Sequence, residues 1–288
     1  MNELRLGLRG AGRWGKNIER TLRSLEGVSV RVLERDEMPG DLDGVLIATP
    51  SGSHATVALP FLEKGIATFI EKPMTTSVAD AQAIREAAKR SRALVFVGHI
   101  YLYNPAFLKT LELLPLIGTI SSLTTEGTSD TPRPEGSVLW DWLPHHLAMA
   151  RMIVGSDAES VVVQNDGAHA TKDAAIVKFR FMGAELTSRI SWVASEKHRL
   201  LTVTGEKGTI LFDETAEKKI TLRVGDSTSY PEYGKEFPLT NELKAFVQSI
   251  REGKTDRPHI DESIAIVTMI AAAEQAANEP GTRIKVEW

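Results

Sequence analysis

The run GAGRWG at Gly10–Gly15 limits what this chain can fold into more than any other stretch of it. It follows a short apolar run, Leu4–Leu8, and precedes an amphipathic stretch reaching about Leu25, so a strand enters the turn and a helix leaves it. In a G-x-G-x-x-G turn the first glycine makes the tight bend. The second leaves bare backbone that a pyrophosphate can approach, and the third lets the helix pack on the strand. The helix start adds N–H donors and a positive partial charge. Alone the spacing is a weak signal. Between a strand and a helix it reads as a dinucleotide site, with Gly10, Gly12, Arg13, Trp14 and Gly15 as candidate contacts.

The following residues continue the alternation. Val28–Leu33 and the nearly all-apolar Gly44–Ala48 read as strands, then a helix from about Ser53 to Lys64, the strand Ala67–Ile70, a Ser77-capped helix to about Arg90, and a strand at Leu94–Val97. This predicts a parallel, doubly wound sheet. Beyond residue 100 the period changes to two. Ser160–Asn165, Ala174–Phe181, Glu185–Val193, Leu200–Thr204 and Ile220–Val224 predict a large, mostly antiparallel sheet. Helices are expected at about Pro144–Val154, Glu242–Ile250 (ended by Gly253) and Asp261–Ala277. The fold expected is a Rossmann nucleotide-binding domain over residues 1–100 and an α+β domain over 101–288, with the C-terminal helices able to pack back on the first. The stretch DETAEKK reads as a solvated hairpin tip.

Composition removes other classes. A net charge of −4 gives no reason to expect nucleic acid or an anionic membrane as partner, and no cysteine means no disulfide, thiolate catalysis or Cys-based metal site. No apolar run approaches the roughly 20 residues that cross a bilayer, and no signal-peptide core is seen at the start, so a soluble cytoplasmic protein is expected. No His/Asp/Glu spacing suggests a metal.

About twenty positions past the glycine turn, an acid would bind the ribose hydroxyls of NAD and an arginine a 2′-phosphate of NADP. Glu34 and Arg35 stand there side by side, and NAD through Glu34 is slightly favoured. At the end of the strand Ala67–Ile70 comes EKP: Glu71, Lys72, Pro73. Ligands of open α/β sheets sit outside the carboxyl ends of strands, so Lys72 is placed to hydrogen-bond a reacting oxygen.

The run ATPSGSHATVALPFLEKGIATFIEKPMTTSVADAQAI resembles the glucose–fructose oxidoreductase/inositol dehydrogenase/rhizopine catabolism (Gfo/Idh/MocA) family, which shows an ATP-x-x-x-H segment and then EKP at this interval. VGHIYLYNPAF, DWLPHHLAMARMIVG, LTVTGEKGTI and PLTNELKAFVQSIREGK resemble later segments of the same family, in order. The resemblance implies hydride transfer between NAD or NADP and a carbinol or carbonyl carbon of a sugar, cyclitol or nucleotide sugar. It implies a cis Lys72–Pro73 bond, Lys72, Asp141 and His145 as the catalytic set, and assembly as a homodimer or homotetramer through the second-domain sheet. Thr49, Pro50, His54 and Glu71 fall beside the cofactor, and Tyr101, Asn104 and His146 join the catalytic set at the substrate. Neutral imidazole suits the proton transfer, and Pro144 reads as a helix first turn whose dipole would disfavour the charged form of His145.

Two departures from the family stand out. Only Glu34–Gly44 joins the second strand to the VLIATP strand, too short for the usual crossover, so an outer strand and at least one helix should be missing. Arg9 stands where the family has an apolar residue, and pairing with Glu34 is one place for it. This shortening keeps a second reading open: a ligand-sensing or scaffolding relative without turnover.

Overall fold

The computed structural model describes residues 3–132, 136–165, 167, 171–257 and 259–288. Its first elements are β1 (Leu4–Arg9), α1 (Arg13–Arg23), β2 (Val28–Val32), β3 (Gly44–Ile47), α2 (His54–Glu63), β4 (Ala67–Glu71), α3 (Val78–Ser91) and β5 (Val95–Gly98). There follow α4 (Pro105–Leu113), β6 (Ile120–Thr128), α5 (Val138–Val154), β7 (Ala158–Gln164), β8 (Ala174–Phe181), β9 (Ala184–Ser191), β10 (Arg199–Gly205), β11 (Gly208–Asp213), β12 (Ile220–Val224) and β13 (Ser227–Ser229). The chain closes with α6 (Pro238–Glu252), α7 (His259–Ala277) and β14 (Arg283–Lys285). It divides into two compact units: Met1–Tyr103 with Glu236–Val267, and Asn104–Lys235 with Thr268–Trp288.

In the first unit the five strands are all parallel, in the order β2-β1-β3-β4-β5. This is the expected Rossmann sheet without its outer strand: β2 is an edge, and residues 33–43 form neither strand nor helix. Strands β3 and β5 are buried along their whole length, which is why their sequences run apolar without alternation. Local signals set the ends of α3. Ser77 Oγ accepts from the Asp80 N–H at 3.3 Å, and Arg92 ends the helix at φ 59°.

The shortened connection is folded onto the sheet. Met38 and Leu42 pack on a buried cluster of Leu33, Val45, Phe61 and Ile66, covering apolar surface that a crossover helix would otherwise cover. Arg9, only 6% exposed, lies with its guanidinium 5.8 Å from the centre of the Phe61 ring and donates to the Glu37 carbonyl at 2.7 Å. It therefore fills the gap, but its hydrogen bond goes to Glu37 and not to Glu34. Helix α6 belongs to the same unit, its Ile250 methyl standing 2.8 Å from where a Cβ on Gly44 would be.

The second unit carries nine strands in the order β13-β12-β11-β10-β6-β9-β8-β7-β14. Every pairing is antiparallel except β6 with β9. Strands β6, β11, β13 and β14 lie outside the expected set. In β6 the sequence ISSLTTEGT is almost entirely polar, so its alternation is carried by Thr125 and Gly127 facing inward with Leu123. The stretch expected as a solvated hairpin tip does join β11 to β12, but two of its charged residues are half-buried. Lys219 pairs with Glu214 at 3.0 Å, and Glu214 in turn accepts from Asn104.

Candidate functional site

The three glycines of the turn make three different demands. A Cβ on Gly10, at φ 99°, would stand 2.4 Å from the Ala48 carbonyl oxygen, and one on Gly15 would stand 1.8 Å from the Gly10 carbonyl oxygen. Both are therefore required by the chain's own packing. At Gly12 no heavy atom lies within 4 Å of that position. Gly12 is also the N-cap of α1, and no side chain caps that helix, whereas α3, α4 and α5 are capped by Ser77, Asn104 and Ser137. Open space over uncapped N–H groups is what a pyrophosphate needs, so the residues present fit a dinucleotide.

Around the carboxyl ends of β3 and β4 the polar groups are tied together. The Trp14 indole N–H donates to Glu71 Oε1 at 2.6 Å, and the Lys72 main-chain N–H donates to Glu71 Oε2 at 3.1 Å. The Lys72–Pro73 peptide is cis, as the resemblance implies. His54 is buried, with Nδ1 2.9 Å from the Pro73 carbonyl oxygen and Nε2 2.9 Å from that of Thr49. Carbonyls only accept, so a neutral ring donates to one and an imidazolium to both. Burial holds the His54 pKa down and Lys72 adds to this, against the pull of the carbonyls. Thr49 and Pro50 border this corner, and Glu34 and Arg35 are both exposed just beyond β2.

Glu71 is a buried carboxyl whose pKa is pushed up to about 7 by burial, with Trp14 and Lys72 opposing. A second buried carboxyl, Glu242 on α6, is 0% exposed, and neither of its oxygens has a hydrogen-bond partner among the described residues. Burial and then the charge of Glu71 push its pKa up. A carboxyl whose folded pKa lies above its unfolded value of about 4.5 contributes stability that is present below that pH and lost as pH rises toward the folded value. Glu242→Gln stays neutral throughout. It should melt a few degrees above the wild type near neutral pH, with the difference shrinking as pH falls toward the unfolded value. Thermal melts across that range check this, and a difference that stays constant with pH would contradict it.

In the second unit α5 starts at Val138, earlier than the sequence suggests. Ser137 Oγ accepts from the Leu139 N–H at 3.2 Å, and Gly155 closes the helix at φ 75°. Pro144 is thus inside the helix, where it leaves one carbonyl without its usual partner. His145 lies two turns in, beyond the first turn to which the end charge of a helix reaches, so the expected dipole effect on it is withdrawn. Asp141 and His145 are one turn apart on α5 and both half-buried. The Trp192 indole N–H, at the end of β9, donates to Asp141 Oδ2 at 2.9 Å. Nothing in the sequence singles out this fully packed tryptophan, one residue past the end of β9.

Three expected substrate contacts need separate description. His146 is buried against the sheet, its Nδ1 3.0 Å from Thr125 Oγ1, which lies 2.8 Å from Ser188 Oγ. A Cβ on Gly127 would come within 2.5 Å of the Trp142 ring and 3.0 Å of His146 Nε2, so that glycine makes room for both rings. His146 therefore holds α5 on the sheet and is an anchor of the helix. Asn104 is also buried: Oδ1 accepts from the Ala106 N–H at 3.0 Å as the cap of α4, and Nδ2 donates to Glu214 Oε2 at 2.5 Å. Tyr101 is half-buried in the 3₁₀ turn Ile100–Tyr103. Among the described residues no group of three or more His, Asp or Glu could hold a metal ion, and no helix is long and apolar enough to cross a membrane.

A parallel five-stranded sheet, a glycine turn open at its second glycine and a lysine at a strand's carboxyl end define a nucleotide-binding Rossmann unit. Comparison with known proteins agrees. Residues 10–99 match the family described as "Oxidoreductase family, NAD-binding Rossmann fold", and residues 127–286 its "C-terminal alpha/beta domain". The chain belongs to the Gfo/Idh/MocA oxidoreductase family. It is 23% identical to an inositol 2-dehydrogenase of Rhizobium meliloti (strain 1021), over 88% of this chain and 84% of that one. It is 24% identical to a scyllo-inositol 2-dehydrogenase (NAD(+)) of Bacillus subtilis (strain 168), over 87% and 80%. A solved structure of a putative oxidoreductase from Magnetospirillum magnetotacticum MS-1 is similar with a TM-score of 0.82 and 29% identity, covering 94% of this chain and 99% of that one.

Proposed function

We propose that this chain is a cytoplasmic NAD(P)-dependent dehydrogenase or reductase acting on a CH–OH group of a sugar, cyclitol or nucleotide sugar, with NAD preferred through Glu34. The dinucleotide, when bound, supplies the hydride acceptor or donor. Gly10, Gly12 and Gly15 with the N–H groups at Arg13 and Trp14 hold its pyrophosphate. The Lys72 ammonium donates a hydrogen bond to the reacting oxygen and stabilises the negative charge that develops there. His145 takes the hydroxyl proton in oxidation and returns it in reduction, and Asp141 orients the substrate or the ring. Tyr101 lies with them as a substrate contact, and two or four copies assemble through the nine-stranded sheet.

The open, uncapped turn at Gly12 is the observation that carries this reading. The test is a fluorescence titration of the purified protein with NADH and NADPH in parallel. Micromolar binding, tighter for NADH, is expected. Tighter binding of NADPH would transfer the adenosine end to Arg35, and no binding of either by folded protein would overturn the reading.

A further inference from the structure

Glu71 is buried next to an exposed tryptophan, and the chain's own stability does not ask for a carboxylate there. Its two oxygens receive two N–H donors from different elements: the indole of Trp14, in the first turn of α1, and the main chain of Lys72. Room for them is made by β5, where a Cβ on Gly98 would stand 3.1 Å from Glu71 Oε1 and 2.8 Å from the Phe69 ring. A glutamine would offer only one acceptor oxygen, and its NH₂ would turn toward one of the two donors. Among side chains of this length, only a carboxylate accepts from both. Trp14 is 40% exposed, so burial of its ring does not explain the contact.

We propose that Trp14 and Glu71 are positioning residues that fix the glycine turn and Lys72 relative to each other, so that a dinucleotide held at Gly12 and a substrate oxygen held by Lys72 meet at a set distance. This rests on the dinucleotide reading above. The indole N–H to carboxylate bond is charge-assisted, the stronger class of hydrogen bond. Protonated Glu71 keeps one oxygen as a donor and so releases one of its two N–H partners. The charged groups that face Glu71 are Lys72 beside it and Glu242 from α6. With burial holding the carboxyl near neutrality, the link weakens as pH falls below about 7.

Two variants and two measurements test this. Without nucleotide, the indole N–H resonance of Trp14, identified by its absence in Trp14→Phe, should shift with pH around neutrality, and the shift should vanish in Glu71→Gln. With cofactor and substrate, Trp14→Phe should lower kcat by about tenfold while NADH affinity stays within about threefold of wild type. A resonance indifferent to pH, or a Trp14→Phe variant with wild-type kcat, would overturn the proposal. So would a variant whose loss is wholly in NADH affinity, since Trp14 would then be a binding contact. A wild-type protein that binds no dinucleotide would instead refute the reading beneath it, whatever the resonance shows.

Discussion

Lys72→Met should lower turnover by two to three orders of magnitude while leaving NADH binding and the melting temperature close to wild type. Methionine keeps the length and apolar stem of lysine, and the main-chain N–H that holds Glu71 is untouched by the change. In the proposed mechanism, what disappears is a charge beside an oxygen that becomes negative during reaction, an interaction stronger in the transition state than before it. Loss should therefore fall on kcat with KM little altered. Steady-state kinetics with a cyclitol and NAD, beside a melt of the same preparation, check both halves. Wild-type kcat in the folded variant would remove Lys72 from the chemistry.

The second large effect separates two glycines three residues apart. Gly15→Ala puts a methyl 1.8 Å from the Gly10 carbonyl oxygen, which is main chain and cannot swing away. The turn or α1 must shift, and destabilisation of about 3 kcal/mol or more is expected, with nucleotide binding lost alongside. In Gly12→Val the added Cβ meets nothing within 4 Å in the free protein. Its cost should be about 1 kcal/mol, from replacing a glycine N-cap. The valine methyls occupy the space over the helix start, so NADH affinity should fall by about two orders of magnitude in a protein that still melts near the wild-type temperature. Calorimetry and a nucleotide titration on both variants decide it. Equal stability losses at the two positions would mean that the space over Gly12 is not kept for a ligand.

The first unit was largely legible in the sequence because its signals are local. Apolar runs such as GVLIA, the cap at Ser77 and the glycine turn each report on a few adjacent residues, and their alternation leaves little choice of topology. The missing outer strand could be read from length alone, since residues 33–43 cannot supply a crossover. The destination of Arg9 could not, because a guanidinium among Glu34, Asp36 and Glu37 has several partners in reach and geometry chooses the Glu37 carbonyl.

The second unit was less legible. Strand β6 hides because Thr125 and Gly127 are buried for reasons contributed by β9 and α5, far along the chain. The start of α5 is hidden because Pro144 has the look of a first-turn residue, while Ser137 seven residues earlier holds the cap. His146 reads from sequence as a substrate contact beside His145, yet adjacent helical residues point about 100° apart, and only the sheet beneath α5 shows which one is packed away. Trp192 and Glu242 were invisible in the same sense. Each matters through one distant neighbour, Asp141 or Glu71.

The strand order of the second unit also bears on how that unit assembles. One group of strands, β7, β8 and β9, pairs antiparallel in chain order, and so does the other, β10 to β13. Either group can form quickly from near neighbours in sequence. Across the middle of the sheet they do not pair with each other: β6 lies between them, bonded to β9 on one side and to β10 on the other. That strand comes from upstream of α5, so its insertion closes longer loops than any pairing within either group and should follow them in folding. Two ribbons become one sheet only when β6 arrives. A protein caught before that point would expose four unpaired strand edges on either side of the gap and at the rims, the surfaces through which chains of this architecture aggregate.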